Sequence, residues 1–264
     1  MEDSAMELFD NEVVFHTNLC YFLLSGFALS GVLLGCFDIK AAYGRYSRGD
    51  WGPSIPGKID WWCHVVALLI VYPLVFWYGD VDCLRRSANR WFLLLYVMHY
   101  TNRSIFFTMM LKNVKPTPIL LSFMTNAFLL TNGYLQVRYH TYLHKYEDDW
   151  IYTPQCVIGS VIFFIGFHIN RSSDTILTNL RKPGEKGYKI PYGGMFEYVS
   201  GANFFGECVE WIGYSIATMS LPAATFAFCT ICNIGPRAIQ HHRWYLSKFE
   251  DYPRNRKALI PFLY

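Results

Sequence analysis

From Val13 to Cys36 the chain reads VVFHTNLCYFLLSGFALSGVLLGC, 24 residues without a formal charge. A bilayer core about 30 Å thick needs about 20 apolar residues to cross it as a helix. Inside lipid every backbone N–H and C=O must be paired within the segment, so helix is the conformation such a run can hold. Further apolar stretches follow at roughly 60–79, 91–111, 118–138, 154–170, 204–220 and 222–240. The expectation is an all-α integral membrane protein of about seven transmembrane helices around a cavity, forming a single domain over residues 1–264. Only 16% of the residues are charged and 53% are hydrophobic, against about 25% charged in soluble domains. The acidic start, MEDSAMELFDNEVV, lacks the basic n-region of a cleaved signal, so the first run reads as a retained span. Pro222 separates the last two spans.

Loop charges set the orientation. Lys40, Arg45, Arg48 and Lys58 follow the first span, and Lys112 and Lys115 the third. Arg171, Arg181, Lys182, Lys186 and Lys189 follow the fifth, and the tail carries Arg237, Arg243, Lys248, Arg254, Arg256 and Lys257. With seven spans all four groups share one side, which the positive-inside rule makes cytosolic, together with the C-terminus. Arg85, Arg86 and Arg90 fall on the other side, beside Asp80 and Asp82.

Ionisable groups within spans are costly and by default mark function. Tyr100, Asn102 and Arg103 interrupt the third span, Asn126, Asn132 and Gln136 the fourth, and Glu207 and Glu210 the sixth. Glu207 and Glu210 are three apart and share a helix face, as do Tyr100, Arg103 and Phe107. Arg181, Lys182, Lys186, Lys189 and Arg237 have the chemistry of a phosphate site, or of a basic face on anionic lipid. Asn170, Asp174 and Asn203 can bond ribose or amide groups. Cys229 and Cys232 form a lone C-x2-C pair, and His140 and His144 lack a third partner, so no metal is expected. No GxGxxG or Walker-type loop is present.

The stretch GYKIPYGGMFEYVSGANFFGECVEWIGYSIATMSLPA, followed by RAIQHHRWYLSKFEDYPRNRKALIPF, resembles the C-terminal signature of the steroid 5α-reductase family. The resemblance is strongest over 170–264 and extends to INRSSDTILTNLRKPGE, HYTNRSIFF and AAYGRYSRGDWGPSIPGKIDWW. It implies a seven-helix membrane enzyme of the endoplasmic reticulum that reduces the 4,5 double bond of 3-oxo-Δ4-steroids with NADPH. The partners implied are a steroid or other lipid substrate and membrane lipids, with no nucleic acid, in a monomer. Matched to the family's motifs, the NADPH shell is Arg103, Asn170, Asp174, Arg181, Tyr188, Lys189, Asn203, Glu207, Arg237, His241 and Tyr245. Val65, Phe107 and Trp211 line the substrate cavity. Lys189 stands where many relatives have Arg, and Phe107 where some have Tyr. The tail from Arg237 would close over the cofactor and be mobile without it.

Tyr100 matches the family's carbonyl-facing tyrosine. Relatives pair it with a Glu in the second span, but here the matching stretch IDWWCHVVALL has Val65, which cannot donate. Four readings stand: His64 takes the donor role; the register shifts so that Asp60 or His64 serves; the substrate differs; or Tyr100 acts alone. Other lipid substrates, a trans-2-enoyl-CoA or a polyprenal, and a degenerate sterol-binding protein are the alternatives to a steroid reductase.

Overall fold

The computed structural model describes all residues except Met1, Tyr43, Ala67, Ile70, Val71, Asn113, Pro183, Gly184, Lys186 and Tyr264, and the side chains of residues 2–5. Helices make up nearly all of the regular structure. The chain separates into two compact units, Met1–Leu24 with Ala41–Val157 and Thr218–Phe226, and Ser25–Lys40 with Ile158–Ala217 and Ala227–Tyr264.

The helices are α1 (Glu2–Cys36), α2 (Gly57–Val66), α3 (Tyr72–Trp77), α4 (Val81–Arg85), α5 (Ser87–Thr101), α6 (Phe107–Met110), α7 (Ile119–Arg138), α8 (Pro154–Asn179), α9 (Ala202–Thr218) and α10 (Leu221–Lys248). Two-residue strands, Ser54–Ile55 and Thr117–Pro118, pair antiparallel. Within the expected second span, 60–79, α2 covers Gly57–Val66, Leu68 and Leu69 are π-helical, and α3 covers Tyr72–Trp77, while Ala67, Ile70 and Val71 lie outside the described residues. The third span is continued past Thr101 by a π turn, Asn102–Phe106, that leads into α6. The separation at Pro222 holds: α9 ends at Thr218, and the proline sits in the first turn of α10, where its missing N–H costs nothing.

Among the described residues two helical stretches, Met6–Cys36 and Pro154–Asn179, are long and apolar enough to cross a bilayer. Both turn large apolar side chains outward, including Phe22 and Leu29 on the first and Ile158, Val161 and Ile165 on the second. Water does not cover such a stripe cheaply, and acyl chains do. These helices fit a membrane protein.

In the first unit, Arg138 at the end of α7 grips Glu12 of α1 with two bonds of 2.6 and 2.8 Å, and Tyr134 donates to the same carboxylate at 3.0 Å. The fork geometry suits a half-buried pair.

In the second unit, α8 and α9 run antiparallel with their backbones in contact. A Cβ on Gly166 would strike the Glu210 backbone, and one on Gly206 the Asn170 backbone. Gly159 meets Ala217 and Gly213 meets Phe163 in the same way. Glycines seven apart on both helices keep this seam on one face of each and allow the close approach used between membrane helices. α10 continues through Pro236 to Lys248. The segment after it folds back, with Ser200 N–H donating to Lys257 O at 2.8 Å, Lys257 N–H to Tyr198 O at 2.9 Å and Gly201 N–H to Ala258 O at 3.0 Å.

Candidate active site

Tyr100 lies in the last turn of α5 and is 5% exposed. Its ring stands 4.8 Å from Tyr96, 5.9 Å from Tyr72 and 6.4 Å from Phe226. Its hydroxyl accepts a hydrogen bond from Asn132 Nδ2 at 3.4 Å. The same amide donates to Tyr96 at 3.2 Å.

Arg103 and Phe107 come next on the chain but have different neighbours. Arg103 covers the Phe107 ring at 4.6 Å and the Trp61 ring at 5.1 Å. Trp61 in turn packs edgewise on Phe107 and on His64, each at 5.1 Å. The π turn explains the change of direction. One extra residue in a turn rotates everything after it by roughly 100°, the angle per helical residue. The expected shared face of Tyr100, Arg103 and Phe107 therefore splits: the phenol points into a tyrosine–amide network, and the guanidinium points at α2.

On α2, His64 and Val65 are partly buried. Asp60, one turn earlier, is 7% exposed. His64 Nε2 and Asp60 Oδ1 have no hydrogen-bond partner among the described residues. A buried acceptor and a buried imidazole nitrogen left open on one helix face, beside a cation, have the makeup of a site that awaits a ligand.

The second cluster grows from the glycine seam. Close packing of α8 on α9 sets Asn170 and Asp174 against Asn203. Asn170 Nδ2 donates to the Asn203 carbonyl at 2.9 Å, and Asn203 Nδ2 to Asp174 Oδ1 at 3.1 Å. Asp174 keeps further acceptor capacity. Glu207 follows Asn203 by one turn of α9, and Trp211, fully buried, packs on Phe163 and Tyr214 at 6.2 and 5.7 Å. From α10, Arg237 lies over the Phe204 ring at 5.2 Å, and His241 packs on the same ring at 5.4 Å. Tyr245 stacks on Tyr252 at 5.1 Å.

The loop after α8 carries the expected cations. Arg181 donates to Gly187 O at 3.4 Å. Lys189 pairs with Glu185 at 2.6 Å, and Lys189 holds that carboxyl below its ordinary range. Tyr188 packs edgewise on Trp244 at 4.9 Å. Lys186 lies outside the described residues.

The described contacts do not join all the candidates: Arg181, Tyr188 and Lys189 make theirs around the loop after α8, Trp211 packs on Phe163 and Tyr214, Tyr245 on Tyr252, and Val65 is partly buried on α2. Sequence reading passed over Tyr72, Tyr96 and Trp61, whose spacing looks like ordinary core, and gave Asn132 and Gln136 no role. It also passed over Ser200 and Tyr252, which join His242 in one network: Ser200 Oγ is 2.6 Å from both His242 Nδ1 and the Tyr252 hydroxyl. The one signal available was the i, i+4 spacing of Tyr96 with Tyr100 and of Asn132 with Gln136.

Residues 115–264 match the family model described as 3-oxo-5-alpha-steroid 4-dehydrogenase. The chain is 42% identical to 3-oxo-5-alpha-steroid 4-dehydrogenase 1 of Mus musculus, over 91% of this chain and 94% of that one. It is 39% identical to the Homo sapiens protein of the same name, covering 92% and 96%, and 39% identical to 3-oxo-5-alpha-steroid 4-dehydrogenase 2 of Rattus norvegicus, covering 90% and 93%. The chain belongs to the 3-oxo-5-alpha-steroid 4-dehydrogenase family. The part matched by the 3-oxo-5-alpha-steroid 4-dehydrogenase model holds the whole second cluster, while Tyr100, Arg103, Phe107, His64 and Val65 precede it.

Proposed function

We propose that the protein reduces the 4,5 double bond of a 3-oxo-Δ4-steroid with NADPH. What carries this reading is identity of about two residues in five to steroid dehydrogenases over nine-tenths of the chain. The chemistry of the second cluster fits the cofactor. Arg181, Lys189 and Arg237 suit phosphates, and Asp174 suits ribose hydroxyls. Asn170 and Asn203 suit ribose or the carboxamide, with Glu207, Tyr188, His241 and Tyr245 completing the shell. NADPH, when bound, supplies the hydride that the steroid C5 accepts.

As the C5–H bond forms, the π electrons shift and negative charge collects on the 3-oxo oxygen as an enolate. A donor at that oxygen is worth more in the transition state than in the ground state, which lowers the barrier. Tyr100 is assigned that donor role. His64, with Asp60 one turn behind it, is assigned the second donor in place of the carboxyl that Val65 lacks. C4 then takes a proton from water, which completes the addition of two hydrogens. Arg103, Phe107 and Trp211 are assigned to the substrate cavity and its nicotinamide end. The protein is read as multi-pass in the endoplasmic reticulum, with a cytosolic C-terminus.

The test is NADPH consumption by the purified protein in detergent, offered progesterone, a trans-2-enoyl-CoA and a polyprenal, with products identified by mass. A 5α-dihydro product from progesterone is the expected result. Turnover of another substrate only, or NADPH binding without turnover, would sink the steroid reading.

A further inference from the structure

The phenol of Tyr100 ends a polar chain whose direction is set at a backbone carbonyl. Gln136 Nε2 lies 2.8 Å from the Pro222 carbonyl oxygen and 3.1 Å from Asn132 Oδ1. A backbone carbonyl can only accept, so the group that Gln136 turns toward it is the NH2. The same NH2 faces Asn132, so Asn132 presents its oxygen to Gln136 and its own NH2 to the tyrosines. Side-chain amides are ambiguous in isolation, and the fixed acceptor removes the ambiguity here. The Asn132 NH2 then donates to Tyr96 at 3.2 Å and to Tyr100 at 3.4 Å. At the far end the Tyr72 hydroxyl lies 3.2 Å from the Tyr96 oxygen, where either can donate to the other, and 3.5 Å from Leu129 O. Asn132 and Gln136 are almost fully buried, where a lost or reversed hydrogen bond is expensive.

We propose that Asn132 is a positioning residue for Tyr100. By donating to the phenol oxygen it turns the phenol proton away from α7 and presents it to the oxygen of a bound ketone. In the empty protein the Tyr96 oxygen is at hand to take that proton. It already accepts from Asn132, however, and a ketone is the stronger acceptor, an enolate stronger still. Gln136 holds Asn132 in this orientation, and accepting a bond also makes the phenol a better donor. With valine at position 65, the aim of the Tyr100 proton matters more. The proposal rests on the reading of Tyr100 as carbonyl donor.

The experiment is infrared difference spectroscopy of progesterone, isotope-labelled at its C3 carbonyl, bound with NADP+ so that no turnover occurs. The wild-type complex should show the carbonyl stretch lowered, and Tyr100→Phe should raise it. Asn132→Leu should raise it as well, leave NADPH affinity unchanged and lower kcat roughly tenfold, the worth of one buried hydrogen bond. The double variant Tyr100→Phe with Asn132→Leu should turn over no more slowly than Tyr100→Phe alone, because Asn132 acts through the phenol. Gln136→Met, which unlocks the Asn132 amide without removing it, should shift the stretch the same way by less and gives a second reading where Asn132→Leu folds poorly. A stretch unmoved by both Asn132→Leu and Gln136→Met, or additive losses in the double variant, overturns the role of Asn132 and leaves that of Tyr100 intact. A stretch unmoved by Tyr100→Phe overturns both.

Discussion

At position 65 a valine stands on α2 where the family resemblance leads to the expectation of a carboxyl, and Asp60 and His64 are the polar neighbours proposed to compensate. Among the described residues His64 Nε2 and Asp60 Oδ1 have no hydrogen-bond partner, and Arg103 lies over the Trp61 ring. Tyr100→Phe should lower kcat by about 10²–10³, the cost of one oxyanion donor, while single-turnover traces show NADPH bound as before. Asp174→Ala tests the other cluster. It removes a charged acceptor worth about 1.5–3 kcal/mol, so NADPH, followed by its fluorescence, should bind roughly ten- to a hundredfold more weakly with little change in kcat at saturation. Motif matches nominated Tyr100 and Asp174 by residue type and order. Their groupings were not legible there. Tyr100 and Arg103 are three apart in sequence, yet their packing neighbours differ because a π turn begins directly after Thr101.

At the scale of helices, the glycine seam between α8 and α9 does most to place functional groups. Gly206 has no room for a Cβ against Asn170, and Gly166 none against Glu210. Gly206→Leu should wedge the helices apart at a cost of about 1–3 kcal/mol, as overpacked cores do. The expected result is a lowered Tm in detergent and weakened NADPH binding, since Asn170, Asp174 and Asn203 lose register together. A Gly206→Leu protein with normal Tm and normal NADPH affinity would contradict this account of the seam. The seven-residue spacing was present in the sequence, but the facing helix was not, because glycine pattern does not name its partner.

For the molecule as a whole, the loop charges and the tail matter most. Arg85, Arg86 and Arg90 depart from the expected positive-inside pattern, and Arg85 and Arg86 have acidic partners. Arg86 pairs with Asp148 at 2.6 Å and Arg85 with Asp82 at 3.6 Å. The Asp82 amide, and after it Lys145, hold the Asp80 carboxyl below its ordinary range. The tail is tied at Ser200, where His242 and Tyr252 meet, and by the buried Arg256, which donates to Pro191 O at 2.8 Å. Burial, and after it Lys257, push the His242 imidazole below its usual pKa. A histidine with a depressed folded value contributes stability that is fully present above the unfolded value of about 6.5 and is lost as pH falls through the folded one. Tail cleavage by limited proteolysis should therefore rise as pH is lowered from 7.5 toward about 5, and His242→Gln should flatten the profile. Identical profiles for both proteins would remove His242 as the cause.

Sequence alone determined the class of fold and the chemistry on offer. An uncharged run of 24 residues has few conformations open to it in lipid, and a charge or amide inside such a run is too costly to be incidental. The motif at 170–264 likewise carried the family, because its residues are named by type and order. Tertiary structure alone decided which groups act together. π turns and backbone-close glycine packing depend on what stands opposite each residue, and opposition across 86 positions, as between Gln136 and Pro222, leaves no local trace in the chain.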